Sequence, residues 1–539
     1  MARKTAFMAA ALSAVALTLT ACGGGGSETD ATTLRRSIGA SPKSVDPHKA
    51  EGTWENDVIG DMFIGLFTED VEGNPIPGMA ESWTTSDDGL VWTFKLRDAN
   101  WSDGQPVTAR DFQFGMRRIL DPKSTGSAYG SLLYVLKNAQ KVNSGELPVE
   151  ELGVKIIDDK TLEVTLEYPA PYLPGLLKHY VSFPVPAHVV SELGSGWVKP
   201  ENIVVNGAYK LDEWRTGDFL RSVKNPGFYD AENVCFNEIV YFPYSDHGAV
   251  VRMAQTGKLD MANAFPNERY EELKESLPGW PRVFSMMTTT YVSLNNQQAP
   301  FDDKRVRQAL SMAIDREYIT EKVMGAGQTP VYGLVPKGMR NYPEGAQITW
   351  KGLSRADRLV EAKRLLEEAG FGPDNPLKFE YIYRSTGENP KAAPVIQANW
   401  LEIADWVQPE IRRVDTQVLY KQLQQGDFEA SDAAWVADYN DAFNFLYLFD
   451  SRSGPMNYGN YSNPEFDALI DKSHLQLDPV ARAKTLRAAE QVLMDDSAMI
   501  PMWTPGRQYL VNPDITGFEP NVEDIHRSRY MCRKSLKEG

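Results

Sequence analysis

From Ser354 onward the chain alternates between two hydrophobic periodicities, and that alternation restricts the fold more than any other feature of the sequence. Ser354 is placed to cap a helix running to about 369, with Gly370 as its stop. Residues 377–383 then read as a strand, 393–406 and 417–425 as helices, and 428–434 as a strand. Two further helices, 464–475 and 479–494, each carry proline near the first turn, where a missing N–H costs nothing. Strands alternating with helices imply a mixed or parallel sheet covered by helices. Earlier in the chain the rhythm differs. Trp92, Phe94 and Leu96 alternate with Val91, Thr93 and Lys95, and Leu162, Val164 and Leu166 repeat the pattern, so both segments read as strands of a sheet. Between them, 108–120 reads as a helix with Thr108 at its N-cap and Asp111 three residues on, close to a capping box.

Where the strand 428–434 gives way to a loop, Trp435, Val436, Ala437, Asp438, Tyr439, Asn440, Asp441, Ala442, Phe443, Asn444 and Phe445 gather rings, amides and two carboxylates. A carboxylate held beside an indole and a phenol, partly shielded from water, binds an ammonium group far better than one on an open surface. From these residues alone the stretch is either such a site or an acidic aromatic loop that caps a core.

The N-terminus is a targeting segment over 1–21, with Arg3 and Lys4 as its charged region and an apolar run from about 6 to 19, too short for a membrane span. Leu19, Thr20, Ala21 and Cys22 resemble the bacterial lipobox, which implies a lipid on Cys22. Residues 22–33, opening with Gly23 to Gly26, have the composition of a flexible tether, so the folded part is expected to sit close to a membrane without entering it. With 56 basic and 73 acidic residues the net charge is −17, or −19 without Arg3 and Lys4, which disfavours nucleic acid as a partner. At 539 residues two or three domains are expected. Beyond Cys22 the cysteines are Cys235 and Cys532, which in an exported protein are either a disulfide or two inert buried thiols.

Reactive chemistry has little support. The six histidines are scattered, without an HExxH or a His/Cys cluster at metal-ligand spacing, and there is no P-loop and no Gly-x-Ser-x-Gly. No catalytic residue, cofactor or metal is expected.

A series of segments nevertheless resembles one family in order along nearly the whole chain. They include Ser44-Val45-Asp46-Pro47-His48, Ala80-Glu81-Ser82-Trp83, and Trp101-Ser102-Asp103-Gly104 leading to Asp111-Phe112. They continue with Asn206-Gly207-Ala208-Tyr209, Gly257-Lys258-Leu259-Asp260, Asn295-Asn296-Gln297, Trp435-Val436-Ala437-Asp438 and Asn463-Pro464-Glu465-Phe466. These are similar to the oligopeptide-binding lipoproteins of bacterial ABC importers, extracellular solute-binding proteins of the peptide/nickel family. The resemblance implies a two-lobed α/β clamp, like a periplasmic binding protein, with an extra α+β domain on the first lobe. The first lobe would be discontinuous, from 32–63, 189–287 and 506–539; the extra domain would be 64–188 and the second lobe 288–505. It also implies a monomer that holds an extended peptide as an added strand between the lobes and hands it to membrane permease subunits, from a lipid-anchored position at the outer face of the cytoplasmic membrane.

Carried over to this numbering, Asp438 is the carboxylate for the peptide's ammonium, and Trp435 and Val436 belong to the strand that pairs with it, with Tyr439 and Asn440 beside them. Glu51, Thr53 and Tyr129 are contacts from the first lobe and extra domain, and Tyr291 and Asn263 are polar contacts near the cleft. Both Cys235 and Cys532 fall in first-lobe segments, which implies that they pair. Relatives close a disulfide where this chain has Thr288 and Val436, and offer basic residues to the peptide carboxylate where it has Leu423 and Asp432, and a second tryptophan where it has Thr416. An aspartate at such a position is expected to repel a carboxylate. A non-peptide solute such as a nickel complex or an oligosaccharide, or an exported hydrolase, are the alternative readings.

Overall fold

All seven residues of the strand Thr288–Leu294 are buried, as expected of a strand covered on both faces. The computed structural model describes residues 31–537 apart from Glu51, Gly126 and Pro343. In it, Thr288–Leu294 lies inside a six-stranded sheet ordered Thr329–Pro330, Met499–Thr504, Thr288–Leu294, Ala430–Val436, Leu377–Arg384, Val407–Val414. Leu377–Arg384 runs parallel to both its neighbours and the other pairs are antiparallel, so the sheet is mixed, as the alternating pattern requires. The targeting segment, Cys22 and most of the tether lie outside the described residues.

Most element boundaries fall within two residues of the periodicity, and one region departs from it. The helix expected over 393–406 spans Asn389–Leu401, because Pro390 and Pro394 are accommodated in its first turns, and the chain then turns into the strand Val407–Val414, which the pattern did not disclose. That strand carries Pro409 and three charged side chains and forms the sheet's outer edge, where proline is tolerated and polar residues face water. Trp400 docks the helix on the sheet: it is fully buried, donates from Nε1 to the Leu310 carbonyl at 3.1 Å, and meets Phe379 and Tyr381 edge-on at 5.2 and 5.4 Å.

A second sheet has seven strands, in the order Pro281–Ser285, Gly506–Val511, Met261–Ala262, Thr33–Ser37, Glu238–Phe242, Phe219–Lys224, Tyr209–Arg215. A third, antiparallel, comprises Ala80–Thr85, Val91–Leu96, Thr161–Thr165 and Val154–Asp158, and the helix Ala109–Leu120 starts from a complete Thr108–Asp111 capping box. The result is the two-lobed α/β arrangement. Two short connections join the large sheets: Met286 and Met287 after Pro281–Ser285, and Pro505 alone between Met499–Thr504 and Gly506–Val511. At the second crossing a Cβ on Gly506 would collide with the Ala326 carbonyl oxygen and with Gly327, so only glycine lets the backbones approach there.

Long-range polar contacts fasten what sequence separates. Glu490, fully buried, accepts from the Leu334, Val335 and Ala346 amides at 2.9, 2.8 and 2.7 Å and from the Tyr342 hydroxyl at 2.6 Å, pinning the 334–346 excursion to the helix Pro479–Asp495. Arg527 pairs with Glu69 and donates to the Asn56 carbonyl at 2.6 Å, and Lys178 pairs with Glu523, so the C-terminal segment is bound to both 53–69 and the region around 178. Cys235 and Cys532 form a disulfide across 297 residues, with Cα atoms 5.3 Å apart. Non-reducing peptide mapping should recover the Cys235–Cys532 crosslink, and Cys532→Ser should lower unfolding stability by about 2–4 kcal/mol; two free thiols would contradict this pairing.

Candidate functional site

The strand Ala430–Val436 is paired along its whole length on one side and barely on the other. Thr288–Leu294 matches it residue for residue, from Leu294 opposite Ala430 to Thr288 opposite Val436. The ladder to Leu377–Arg384 stops after Tyr381–Ala430 and Ile382–Ser431. From Asp432 to Val436 no described strand occupies that second edge, and burial falls away along it until Val436 is 47% exposed. An open edge of this kind is a template for another extended chain. Thr288 and Val436 are direct cross-strand partners, joined by ladder pairing.

Asn444 organises the end of that edge. It follows the strand in the short helix Phe443–Leu446, and its Oδ1 accepts from Trp435 Nε1 at 2.7 Å and from the Asp438 amide at 3.2 Å, while its Nδ2 donates to Asp438 Oδ2 at 3.3 Å. Burial pushes the Asp438 carboxyl up to about 6, and the Asn444 hydrogen bond offsets only part of that. Among the described residues no lysine, arginine or histidine forms an ion pair with Asp438. Three residues on, Asp441 has the opposite fate, held by Arg482 through two hydrogen bonds of 2.7 and 2.9 Å. The protein supplies a cation to one carboxylate of the loop and leaves the other able to accept one from outside.

Around this loop, residues from the segment that carries the third sheet meet Tyr439, His474 and Arg340. Tyr439 is buried and stacks on Tyr172 at 4.8 Å, with Arg482 over the same Tyr172 ring at 5.5 Å. His474 lies 4.1 Å from Tyr168, and burial takes its imidazole down to about 4, so it is neutral at physiological pH. Asn440 accepts from the Arg340 amide at 2.7 Å while the Arg340 guanidinium reaches Asn74 at 2.9 Å.

The remaining candidates are distributed over both sides. Thr53 is exposed in the first turn of the helix Thr53–Met62, and Asn263 accepts from the Ser37 hydroxyl at 3.3 Å beside the seven-stranded sheet. Glu51 lies outside the described residues. Tyr291 is buried, and half-buried Tyr129 stacks on His179 at 6.2 Å. Thr416 shares a 2.9 Å hydroxyl contact with Thr386. Leu423 is buried in the core. For Asp432 the expectation of repulsion is corrected: it is 1% exposed and its charge is taken up by Arg384, whose Nε donates to Oδ1 at 2.8 Å and whose amide donates to Oδ2 at 2.6 Å. Asn444 and Arg384 were not among the candidate residues. Asn444 had a signal, since it lies within the loop stretch itself; Arg384 is 48 positions from its partner and had none.

Residues 74–457 match the family model for bacterial extracellular solute-binding proteins, family 5. The periplasmic oligopeptide-binding protein OppA of Salmonella typhimurium is 39% identical, over 91% of this chain and 90% of that protein, and OppA of Escherichia coli is 37% identical over 93% of each. The crystal structure of Haemophilus influenzae OppA in complex with RPPGFSPFR superposes with a TM-score of 0.80 at 35% identity, covering 93% of this chain and 99% of that one. With the family model matching 74–457 and OppA of Salmonella typhimurium 39% identical over 91% of this chain, the chain belongs to the bacterial extracellular solute-binding proteins of family 5.

Proposed function

We propose that this protein is the substrate-binding component of an ABC importer, capturing extended oligopeptides between two closing lobes and delivering them to membrane permease subunits. The observation that carries the reading is Asp438: a carboxylate raised by burial to about 6, oriented by Asn444, lacking an ion-pair partner among the described residues and standing at the end of an open strand edge. A peptide's α-ammonium supplies that partner, and its backbone supplies the missing ladder beside Asp432–Val436. The names of the relatives, which describe oligopeptide binding in the periplasm, support both the ligand class and an exported location. They describe binding proteins, which favours binding over catalysis.

In this reading the first lobe comprises 32–63, 189–287 and 506–539, the extra domain 64–188, and the second lobe 288–505. The sheets support the division, since the seven-stranded sheet draws its strands from the first set, the four-stranded sheet from 64–188, and the six-stranded sheet from 288–505. Trp435, Val436, Tyr439 and Asn440 form the second-lobe wall with Asp438, and Tyr291 contributes from the neighbouring strand. In the same reading Thr53, Asn263 and Tyr129 contribute ligand contacts from the first lobe and extra domain, and Glu51, which lies outside the described residues, is assigned there by resemblance alone. Cys22 is the lipid anchor that keeps the carrier at the membrane.

Closure follows from contacts made on both sides, which a peptide gains only when the lobes meet. Scattering at saturating peptide should give a smaller radius of gyration than the free protein; an unchanged radius with verified binding would contradict a clamp. Asp438→Asn keeps the shape and removes the charge, leaving a bound ammonium buried and unpaired. It should weaken binding of a free-amine peptide by about 2–5 kcal/mol, thirty- to several-thousand-fold. An N-acetylated peptide should bind native protein poorly and lose little more on the variant, because both changes remove the same pair. Calorimetry showing Asp438→Asn within about threefold of native for a free-amine peptide would mean that the ligand is not held by its N-terminus.

A further inference from the structure

The three residues that follow Asp438 are each gripped by a group from elsewhere in the chain. Tyr439 stacks on Tyr172, with ring planes 9° apart and centroids at 4.8 Å. Asn440 accepts from the Arg340 amide at 2.7 Å, and the Arg340 guanidinium donates onward to Asn74 Oδ1 at 2.9 Å. Asp441 is held by Arg482, whose guanidinium also lies over the Tyr172 ring at 5.5 Å. Tyr172 and Asn74 both belong to 64–188, so that segment reaches the loop 438–441 at two separate points, one through a ring stack and one through Arg340.

The two points differ in kind. Tyr439 is 6% exposed and Tyr172 9%, and each owes part of that burial to the other ring, so drawing 64–188 away from the loop would wet both faces. Arg340 is exposed, and its link to Asn74 is a directional bridge that buries little. It stands at the tip of the 334–346 excursion, whose two stems Glu490 holds through Leu334 and Val335 on one side and Tyr342 and Ala346 on the other. The tip therefore keeps its place when Asn74 moves. Where Tyr172, Arg340, Asn440, Asp441 and Arg482 meet, a cavity of about 40 Å³ remains. A junction with a void and two small contact points parts more readily than a close-packed core.

We infer that Tyr172, Arg340 and Asn74 form a clasp that positions the Asp438 loop, so that the loop is locked in its ammonium-binding geometry when 64–188 comes against it and a bound peptide leaves only after the clasp parts. These three are positioning residues: they act on the ligand through Tyr439 and Asn440, the two residues next to Asp438 in the chain. The inference rests on the peptide-binding reading above and adds to it a role for 64–188 in retaining the ligand. Because the clasp forms after the peptide has entered, it sets the dissociation rate and leaves the encounter unchanged.

The test is stopped-flow kinetics on the full chain, with a free-amine peptide chosen by calorimetry from a series of mixed sequence and length. Tyr172→Ala should raise the dissociation rate by about three- to tenfold while the association rate stays within about twofold of native, and Tyr172→Phe, which keeps the ring, should dissociate like the native protein. Arg340→Ala and Asn74→Ala should each raise dissociation by about two- to fivefold, and the double variant no further than either alone, because both changes remove the same bridge. Arg340 is exposed, so its substitution reads the clasp even where Tyr172→Ala fails to fold. Native dissociation rates in Tyr172→Ala and Arg340→Ala, or a change confined to association, would overturn the inference and leave the peptide-binding reading standing. Failure of every peptide in the series to bind native protein would overturn both.

Discussion

The structure turns on Asp438, a largely buried carboxylate with no ion-pair partner among the described residues. Holding Asp438 ionised at neutral pH against a value of about 6, rather than its ordinary 3.8, costs about 3 kcal/mol. The sign of the linkage follows. A carboxyl raised in the folded state makes its full contribution to stability below its unfolded value, and that contribution is lost as the pH rises through about 6. Near neutrality the free protein therefore carries a local destabilisation that an ammonium bound there would relieve, and in the proposed function the affinity of the site would derive from that relief together with a new ladder along Asp432–Val436.

The neighbouring groups keep the arrangement from collapsing onto itself. If a lysine or arginine of the protein reached Asp438, the site would be satisfied internally and would hold no ligand. Arg482 is the cation nearest in kind, and it is committed to Asp441 and to the face of Tyr172. Asn444 supplies orientation without charge, fixing Trp435 and Asp438 by one amide. The stack of Tyr439 on Tyr172 and the link from Arg340 to Asn74 join the segment that bears the third sheet to the residues beside this loop.

Much of this was legible in the sequence because it is local. The capping box at Thr108 and Asp111, the Ser354 cap and the strand that ends near Trp435 all follow from patterns a few residues long. The loop with Asp438 could be singled out from its composition, although composition alone favoured a core cap. The features that escaped are set by distant partners. The edge strand Val407–Val414 has a proline and charges where a buried strand would have aliphatics, and its pairing comes from Leu377–Arg384. Asp432 read as a repulsive charge because nothing near it in sequence identifies Arg384 as its partner. The seven-stranded sheet is assembled from segments as far apart as Thr33–Ser37 and Gly506–Val511, and no period within either segment announces that they meet.

The most direct measurement of the central claim is the titration of the Asp438 side-chain carboxyl by carbon NMR, in free protein and at saturating peptide. The account predicts a midpoint near 6 in the free protein and a fall below the ordinary aspartate value of about 3.9 once an ammonium is bound beside it. A midpoint already near 3.9 in the free protein, or one that peptide binding leaves unmoved, would contradict it.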